Sequence, residues 1–146
     1  MKPLIFLFTI LSVAIGACTK TDSIDPIPSS LDGKWRMITV TENASGLTIT
    51  KPSSIQGDVE ITITPITSTI GTFIGNTPSN NISQNSYSTG ANQSLTIPVL
   101  SMTKVMETSW GNEFVENIRN SQEYSFEIGG RLIIQTTNKI LTFKKN

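Results

Sequence analysis

The best match to a catalytic motif in this chain joins a serine to a lysine. Ser101 and Lys104 have the Ser-x-x-Lys spacing, in which a lysine assists a serine nucleophile. In enzymes with this motif the serine opens a helix, and Ser-Asp-Asn and Lys-Thr-Gly motifs complete the site. Here the pair lies in a strand-like pattern, and neither partner motif occurs in the sequence. We therefore expect no catalysis from this pair.

Carboxylates at short spacing offer a second kind of chemistry. Glu113 and Glu116 are three residues apart on a predicted helix, with Glu107 nearby, and paired carboxylates act as acid and base when their pKa values differ. Asp58 and Glu60 share one face of a predicted strand, where their oxygens could bind calcium. A solvated helix start and a solvated strand face account for both pairs more simply. The sequence thus predicts no catalytic residue and no metal site.

Aromatic residues and glycines complete the set of candidates. Trp35 and Trp110 can stack on a ligand, but a tryptophan in such positions more often fills the core, which is what we expect. The Gly71-x-x-x-Gly75 spacing indicates a close approach of two backbones or a bulge. The sequence contains neither a phosphate-binding loop nor a dinucleotide fingerprint, so we expect no cofactor.

Composition narrows the classes of function. The chain has 146 residues, enough for one domain, and its 11 basic and 11 acidic residues balance. A nucleic-acid-binding protein usually has a basic excess or stripe, so we expect no nucleic-acid partner. The absence of histidine excludes imidazole catalysis, and a single cysteine excludes an internal disulfide. Abundant isoleucine and threonine favour strands.

The N-terminus has the pattern of a secretory signal. A basic start, Met1-Lys2, precedes an apolar run of about twelve residues, whereas a membrane-spanning helix needs about twenty. The run ends in Ile15-Gly16-Ala17-Cys18, which resembles the bacterial lipoprotein box. This resemblance implies a signal peptide over residues 1–17 and lipidation of Cys18, and two or more acyl chains anchor a protein stably. We therefore expect a membrane partner through Cys18 and a location in the cell envelope, at the outer membrane.

Residues 18–30 have the composition of a linker. Two prolines and several serines without apolar periodicity predict an extended segment, which could lift the domain by up to roughly 35 Å. Within it, Asp22-Ser23-Ile24 resembles an O-glycosylation sequon of Bacteroidetes, with Ser23 as the acceptor.

Beyond the linker, period-two alternation predicts a mostly antiparallel β domain of the α+β class over residues 31–146. In the first strand, Trp35 and Met37 should share one face and Val40 the other. The predicted strands are residues 34–41, 47–50, 59–64, 69–74, 86–88, 94–97, 100–106, 124–128, 131–136 and 140–144, with a loop at 76–85.

One segment departs from this alternation. Residues 109–120 place Phe114 and Ile118 four apart, which predicts a short helix capped by Ser109 that packs on the sheet.

The landmarks of the domain, in order and spacing, resemble the META domain family, which includes the heat-shock-associated HslJ-type lipoproteins. They are Leu31-x-Gly33-x-Trp35, Gly71-x-x-x-Gly75-Asn76, Tyr87, Leu95-Thr96-Ile97, Thr103-Lys104-Val105-Met106, Glu113-Phe114, Tyr124-x-x-x-Ile128, Leu132-Ile133-Ile134 and Leu141-Thr142-Phe143-Lys144. The resemblance covers roughly residues 31–145 and implies a half-open β-barrel or curved sheet with one short helix. The usual cysteines after Gly75 and near Glu107 are missing, so any family disulfide is impossible here.

Two functions follow from these observations. The first is a non-enzymatic, lipid-anchored envelope protein whose META-like domain binds another envelope component or contributes to stress tolerance. The alternative is a lipocalin-like carrier of a small apolar ligand, because the Gly33-x-Trp35 opening is shared with lipocalin-like domains. A large internal cavity would favour the carrier, whereas a META-like domain should have a filled core.

Overall fold

The computed structural model describes residues 25–146, so the predicted signal peptide, Cys18 and Ser23 lie outside the described residues. Within residues 25–146 the chain forms nine β-strands and one α-helix. They are β1 (Gly33–Glu42), β2 (Thr48–Thr50), β3 (Glu60–Pro65), β4 (Ile70–Asn76), β5 (Asn81–Thr89), β6 (Leu95–Thr96), α1 (Ser109–Asn117), β7 (Ser121–Glu127), β8 (Arg131–Thr136) and β9 (Lys139–Lys145).

All neighbouring strands pair antiparallel in one curved sheet of order β6-β5-β4-β3-β1-β9-β8-β7, with the short β2 added to β1. A bridge between Ser94 and Glu123 brings the two edges of the sheet together, so the sheet is a nearly closed barrel. The predicted fold class is confirmed: mostly antiparallel strands, a barrel-like sheet and one short helix.

The barrel has two distinct ends. We call the end where β1 begins the linker end, because residues 25–32 lie there. Since neighbouring strands are antiparallel, β3 and β7 both finish at the linker end, which therefore also carries the turns at residues 66–69 and 128–130. The opposite end, where β1 finishes and α1 lies, is the helix end.

A β-bulge changes the face of one predicted core residue. Trp35 and Met37 are buried as expected, but Val40 is buried with them, so its predicted position on the opposite face is wrong. The register between β1 and β9 shifts between Met37 and Thr39, and this extra residue turns Val40 back toward the core.

The regular alternation of β3 is confirmed, because Val59, Ile61 and Ile63 are all buried. The close approach predicted from the glycines is also present. A Cβ at Gly75 would collide with the backbone of Glu60 on β3, and one at Gly71 would collide with the ring of Tyr87.

The strand predicted at residues 100–106 is wrong. Only Met102 pairs with β5, through a bridge to Ile82. The Asn85 side chain bonds the adjoining backbone instead: its Oδ1 accepts from the Ser101 N–H at 2.6 Å, and its Nδ2 donates to the Ser83 carbonyl at 2.6 Å. The Asn85 side-chain amide therefore replaces part of the hydrogen-bond ladder between β5 and this segment. Pro98 precedes the segment and has no N–H to donate to a ladder, which is consistent with the interruption.

Two boundaries also differ from the prediction. β5 begins at Asn81, inside the predicted loop, and buries Ile82, Asn85 and Tyr87; the alternation is broken between Ile82 and Asn85, where the register with β4 shifts. The β7–β8 turn has three residues rather than two, since Glu127 pairs with Arg131. Ile128 therefore belongs to the turn and is exposed there.

The helix forms where it was predicted and plugs the barrel. α1 continues as a 3-10 turn over residues 118–120. The N-cap is Thr108 rather than Ser109, because the Thr108 hydroxyl accepts from the Gly111 N–H at 3.1 Å. Phe114 and Ile118 are fully buried, and the Phe114 ring packs edge-on against Phe143 of β9 with centroids 6.4 Å apart.

Both tryptophans are buried in the core, as predicted, but they differ in their polar contacts. The Trp35 Nε1 donates to the Leu31 carbonyl at 2.8 Å, which ties the segment before β1 to the barrel. Within residues 25–146, the Trp110 Nε1 has no acceptor. Trp110 therefore stabilises the domain by shape and apolar contact alone.

Candidate functional site

The barrel interior is filled by side chains. The cavity on its axis has a volume of about 10 Å³. Its wall is apolar and consists of Leu31, Ile61, Ile63, Phe73, Tyr87, Leu95, Ile97, Ile118 and Ile134. Small-molecule sites usually enclose about 300–1,000 Å³. The interior therefore has no room for a carried ligand in this conformation.

The structure places Ser101 and Lys104 in an exposed segment without a helix. Both are exposed in the segment that follows β6, and the hydrogen bonds of Ser101 run through its backbone to Asn85 and Ser83. Across residues 25–146, no hydrogen bond joins the serine hydroxyl to the lysine amine. The motif match has no catalytic geometry.

Asp58, just before β3, and Glu60, at the start of β3, are each neutralised by a different cation. The Asp58 carboxylate lies 2.7 Å from the Lys51 Nζ, and the Glu60 carboxylate lies 2.7 Å from the Lys34 Nζ. Among residues 25–146 there is no cluster of three or more acidic, histidine or cysteine side chains suited to a metal ion.

Glu113 and Glu116 do not form an acid–base pair either. The Glu113 Oε2 accepts from the Lys139 Nζ at 2.6 Å, which joins α1 to the start of β9. The Glu116 side chain is exposed on the outer face of α1. The two carboxylates therefore face different surroundings and share no site.

Glu107, in contrast, is the centre of a polar cluster at the helix end. We use the name Glu107 cluster for Thr77, Asn80, Thr103, Glu107 and Thr108. The Glu107 Oε2 accepts from the Thr77 hydroxyl and, at 2.8 Å, from the Asn80 Nδ2. Its Oε1 accepts from the Thr108 N–H at 2.9 Å. One carboxylate thus joins the β4–β5 turn to the first turn of α1.

These hydrogen bonds determine the charge state of Glu107. Burial by itself would raise the pKa of the Glu107 carboxyl, but the bonds from Thr77, Asn80 and Thr108 outweigh burial and hold the pKa below its ordinary value. The group is therefore a firmly ionised acceptor with its donors in place. That arrangement suits a structural role and is unsuited to a general acid.

The lowered pKa of Glu107 predicts a pH-dependent contribution to stability. A carboxyl whose pKa is lower in the folded chain stabilises the fold above its unfolded value of about 4.3, and loses that contribution as pH falls through the folded pKa. We expect Glu107→Gln to unfold more easily than wild type at pH 7, with the difference shrinking toward pH 3. Urea denaturation at both pH values measures it, with the exposed Glu116→Gln as control. A difference that does not change with pH would contradict the prediction.

The Asn80 side chain also holds the exposed loop around Val105 in place. Its Oδ1 accepts from the Val105 N–H at 2.7 Å, and its Nδ2 donates to the Val105 carbonyl at 3.0 Å. The side chains of Val105 and Met106 point away from this anchor, 62% and 92% exposed. We call these two residues the Val105–Met106 tip. A rigid backbone thus displays two apolar side chains at the helix end.

Sequence reasoning missed Thr77 and Asn80, because both lie in a stretch that has the composition of an ordinary polar loop. One signal pointed to the cluster. Gly111 weakens a short helix, and the structure gives its reason: a Cβ there would collide with the Glu107 carboxylate.

At the linker end, the segment from residue 25 onward contacts the barrel. The Asp25 carbonyl accepts from the Gly129 N–H at 2.8 Å, and the Asp25 carboxylate lies 3.4 Å from the Lys144 Nζ. These contacts lie within residues 25–30, the last part of the predicted linker. Asp25 is held against the barrel because the β7–β8 turn offers it a donor, the Gly129 N–H, and β9 offers it a cation, Lys144.

Next to this segment is a shallow groove of about 240 Å³. Two tyrosines, Tyr87 and Tyr124, lie in its wall among serine and threonine residues. Burial raises the pKa of the Tyr87 hydroxyl, and nearby Tyr124 and Asp32 raise it further. Tyr87 is therefore neutral at physiological pH, and its buried ring packs in the core.

Within residues 25–146, no helix is both long enough and apolar enough to cross a bilayer.

Comparison with known proteins adds information on the fold alone. No protein-family model matches the chain, and no curated protein matches it. The barrel has a structural neighbour. The NMR structure of a protein from Burkholderia xenovorans is similar with a TM-score of 0.58 and 16% sequence identity, over 99% of each chain. At that identity the likeness shows a shared fold.

Proposed function

We propose that this chain is a lipid-anchored, non-enzymatic protein of the bacterial cell envelope, attached to the outer membrane through Cys18. Its META-like domain binds another envelope component or contributes to stress tolerance. The lipoprotein box at Cys18 supports the anchor, and the META landmarks support the domain assignment. Several of these landmarks have structural roles in the barrel: Trp35 and Phe143 lie in the core, and Gly75 allows β4 to approach β3.

The filled interior favours binding at the surface over transport of a small apolar ligand. A cavity of about 10 Å³ cannot hold a carried molecule, whereas the outer surface has exposed apolar side chains, two of them at a loop whose backbone is anchored by Asn80. The observation that carries the proposal is the Val105–Met106 tip. The backbone that carries these exposed apolar side chains is already anchored, so it loses little conformational entropy when a partner covers them.

Lipid anchoring is tested by replacing the acylated residue. We expect Cys18→Ser to abolish incorporation of radiolabelled palmitate and to leave the protein unprocessed or released from membranes, because no other thiol exists to accept the lipid. Thr19→Ser, next to the box, should label as wild type. Equal labelling of wild type and Cys18→Ser would refute the anchor.

Binding at the tip is tested by site-specific photo-crosslinking in intact cells. We expect a crosslinker at Met106 to give a discrete adduct with an envelope component, because its side chain is almost fully exposed on a fixed loop. The matched control is Ile74, an exposed residue on the side of β4. The same adducts from both positions, or none from Met106, would contradict binding at the tip.

A further inference from the structure

Exposed isoleucines are concentrated at the linker end of the barrel. Ile27 in the docked segment, Ile66 in the β3–β4 turn and Ile128 in the β7–β8 turn are 55%, 66% and 61% exposed. Ile70, at the first position of β4, lies at the same end and is also exposed. Single exposed apolar residues are common, but here three separate segments bring them to one end.

The chain reaches the barrel at this same end. Asp25 is fixed there by the Gly129 N–H and by Lys144. Asp25 comes seven positions after Cys18 in the sequence, and a fully extended chain spans at most about 25 Å over that distance. An acylated Cys18 would therefore keep the linker end, and its isoleucines, within that distance of the bilayer surface.

The charges at this end are balanced rather than basic. Cationic side chains are matched in number by acidic ones: Lys34, Arg131, Lys144 and Lys145 against Asp25, Asp32, Glu60 and Glu127, with Lys34 and Glu60 paired at 2.7 Å. Attraction to anionic headgroups therefore adds little, and any contact with a membrane must come from the apolar side chains.

We infer that the linker end lies on the bilayer, with Ile27, Ile66 and Ile128 inserted at the boundary between headgroups and acyl chains. This inference rests on the proposed lipidation of Cys18, and adds an orientation to it. Apolar side chains at the interface supplement acyl chains, because each contributes buried apolar area. The helix end and the Val105–Met106 tip then point away from the membrane.

The test uses fluorescent labels on the full lipidated protein, reconstituted in phosphatidylethanolamine–phosphatidylcholine vesicles containing doxyl-labelled lipid. Ile66→Cys and Ile128→Cys each carry an NBD label, and Met106→Cys at the helix end is the matched control. Cys18 does not compete for the label, because its sulfur is blocked by lipid and the chain has no other cysteine. All three substituted residues are exposed, so the fold should tolerate the changes.

We expect doxyl lipid to quench more than half of the NBD fluorescence at residues 66 and 128 and almost none at residue 106. Adding anionic phosphatidylglycerol to the vesicles should leave this pattern unchanged. Equal quenching at all three positions, or quenching at residue 106 alone, overturns the orientation. The orientation is also overturned if the labels at residues 66 and 128 are shielded from solvent in cells but not in vesicles, because a protein would then cover this end.

Palmitate labelling of the same samples separates the two proposals. Labelled protein without quenching at residues 66 and 128 overturns the orientation and leaves the anchor intact. Protein that incorporates no palmitate overturns both.

Discussion

Phe114→Ala should lower the free energy of unfolding by about 3–5 kcal/mol, the usual cost of truncating a buried phenylalanine. Phe114 is fully buried, and its ring packs against Phe143 inside the barrel. Small domains are stable by only about 5–15 kcal/mol, so this loss is severe. Urea denaturation, followed by the fluorescence of the two buried tryptophans, measures it.

Glu116→Ala is the matched control, because it lies on the same helix but faces solvent. Its effect should stay within about 0.5 kcal/mol. If Phe114→Ala were as mild as the control, α1 would not be a plug that holds the barrel together. A large loss from Glu116→Ala would instead indicate a contact for this carboxylate that the folded monomer does not contain.

The helix was predictable because its signal is local. Phe114 and Ile118 recur at helical spacing in a chain that otherwise alternates with period two, and the structure buries both. The same holds for β3, where three inward residues alternate without interruption. Such patterns arise because one face of the helix or strand is buried, so they can be recognised within the sequence of that segment alone.

The parts that sequence reasoning missed depend on contacts between distant segments. Val40 changes face because of a bulge whose partner strand, β9, comes about a hundred residues later in the chain. The segment at residues 100–106 has a strand-like composition, yet the Asn85 side chain takes the place of part of its ladder. The strand propensity of a segment cannot show that a side chain from elsewhere will take the place of a backbone hydrogen-bond partner.

The Glu107 cluster is the clearest example at the candidate site. The sequence pattern relates Glu107 only to Glu113 and Glu116, and it places Thr77 and Asn80 in a loop. Folding brings them together across about thirty residues of sequence and gives the carboxylate its donors. A composition rule that assigns asparagine and threonine to loops describes these residues correctly but cannot identify which carboxylate they will bind.

Asn80→Ala should be the most damaging change in this cluster. It removes both hydrogen bonds that hold the Val105 backbone and one donor to Glu107. Each polar group left without a partner costs about 1–3 kcal/mol when buried, and these are partly buried, so we expect a loss of about 2–3 kcal/mol. Hydrogen exchange should accelerate at the Val105 amide, and crosslinking from Met106 should weaken because the tip is no longer fixed.

Asn81→Ala provides the matched control, since Asn81 is the next residue and its side chain is exposed. It should change stability by less than about 0.5 kcal/mol and leave the Val105 amide protected. Protection of that amide in Asn80→Ala would mean that Val105 is held by something other than the Asn80 side chain.

Asn80→Asp separates loss of a donor from the role of charge. The new carboxylate would replace an amide nitrogen that lies 2.8 Å from the Glu107 carboxylate. Two carboxylates at that distance raise each other's pKa, so the pair destabilises the fold most at high pH and regains stability as pH falls. The deficit of Asn80→Asp relative to wild type should therefore be larger at pH 7 than at pH 4, and it should change more with pH than that of Asn80→Ala, which only removes one of the donors that lower the Glu107 pKa. Equal pH dependence of the two variants would mean that Glu107 is not the partner of Asn80 in solution.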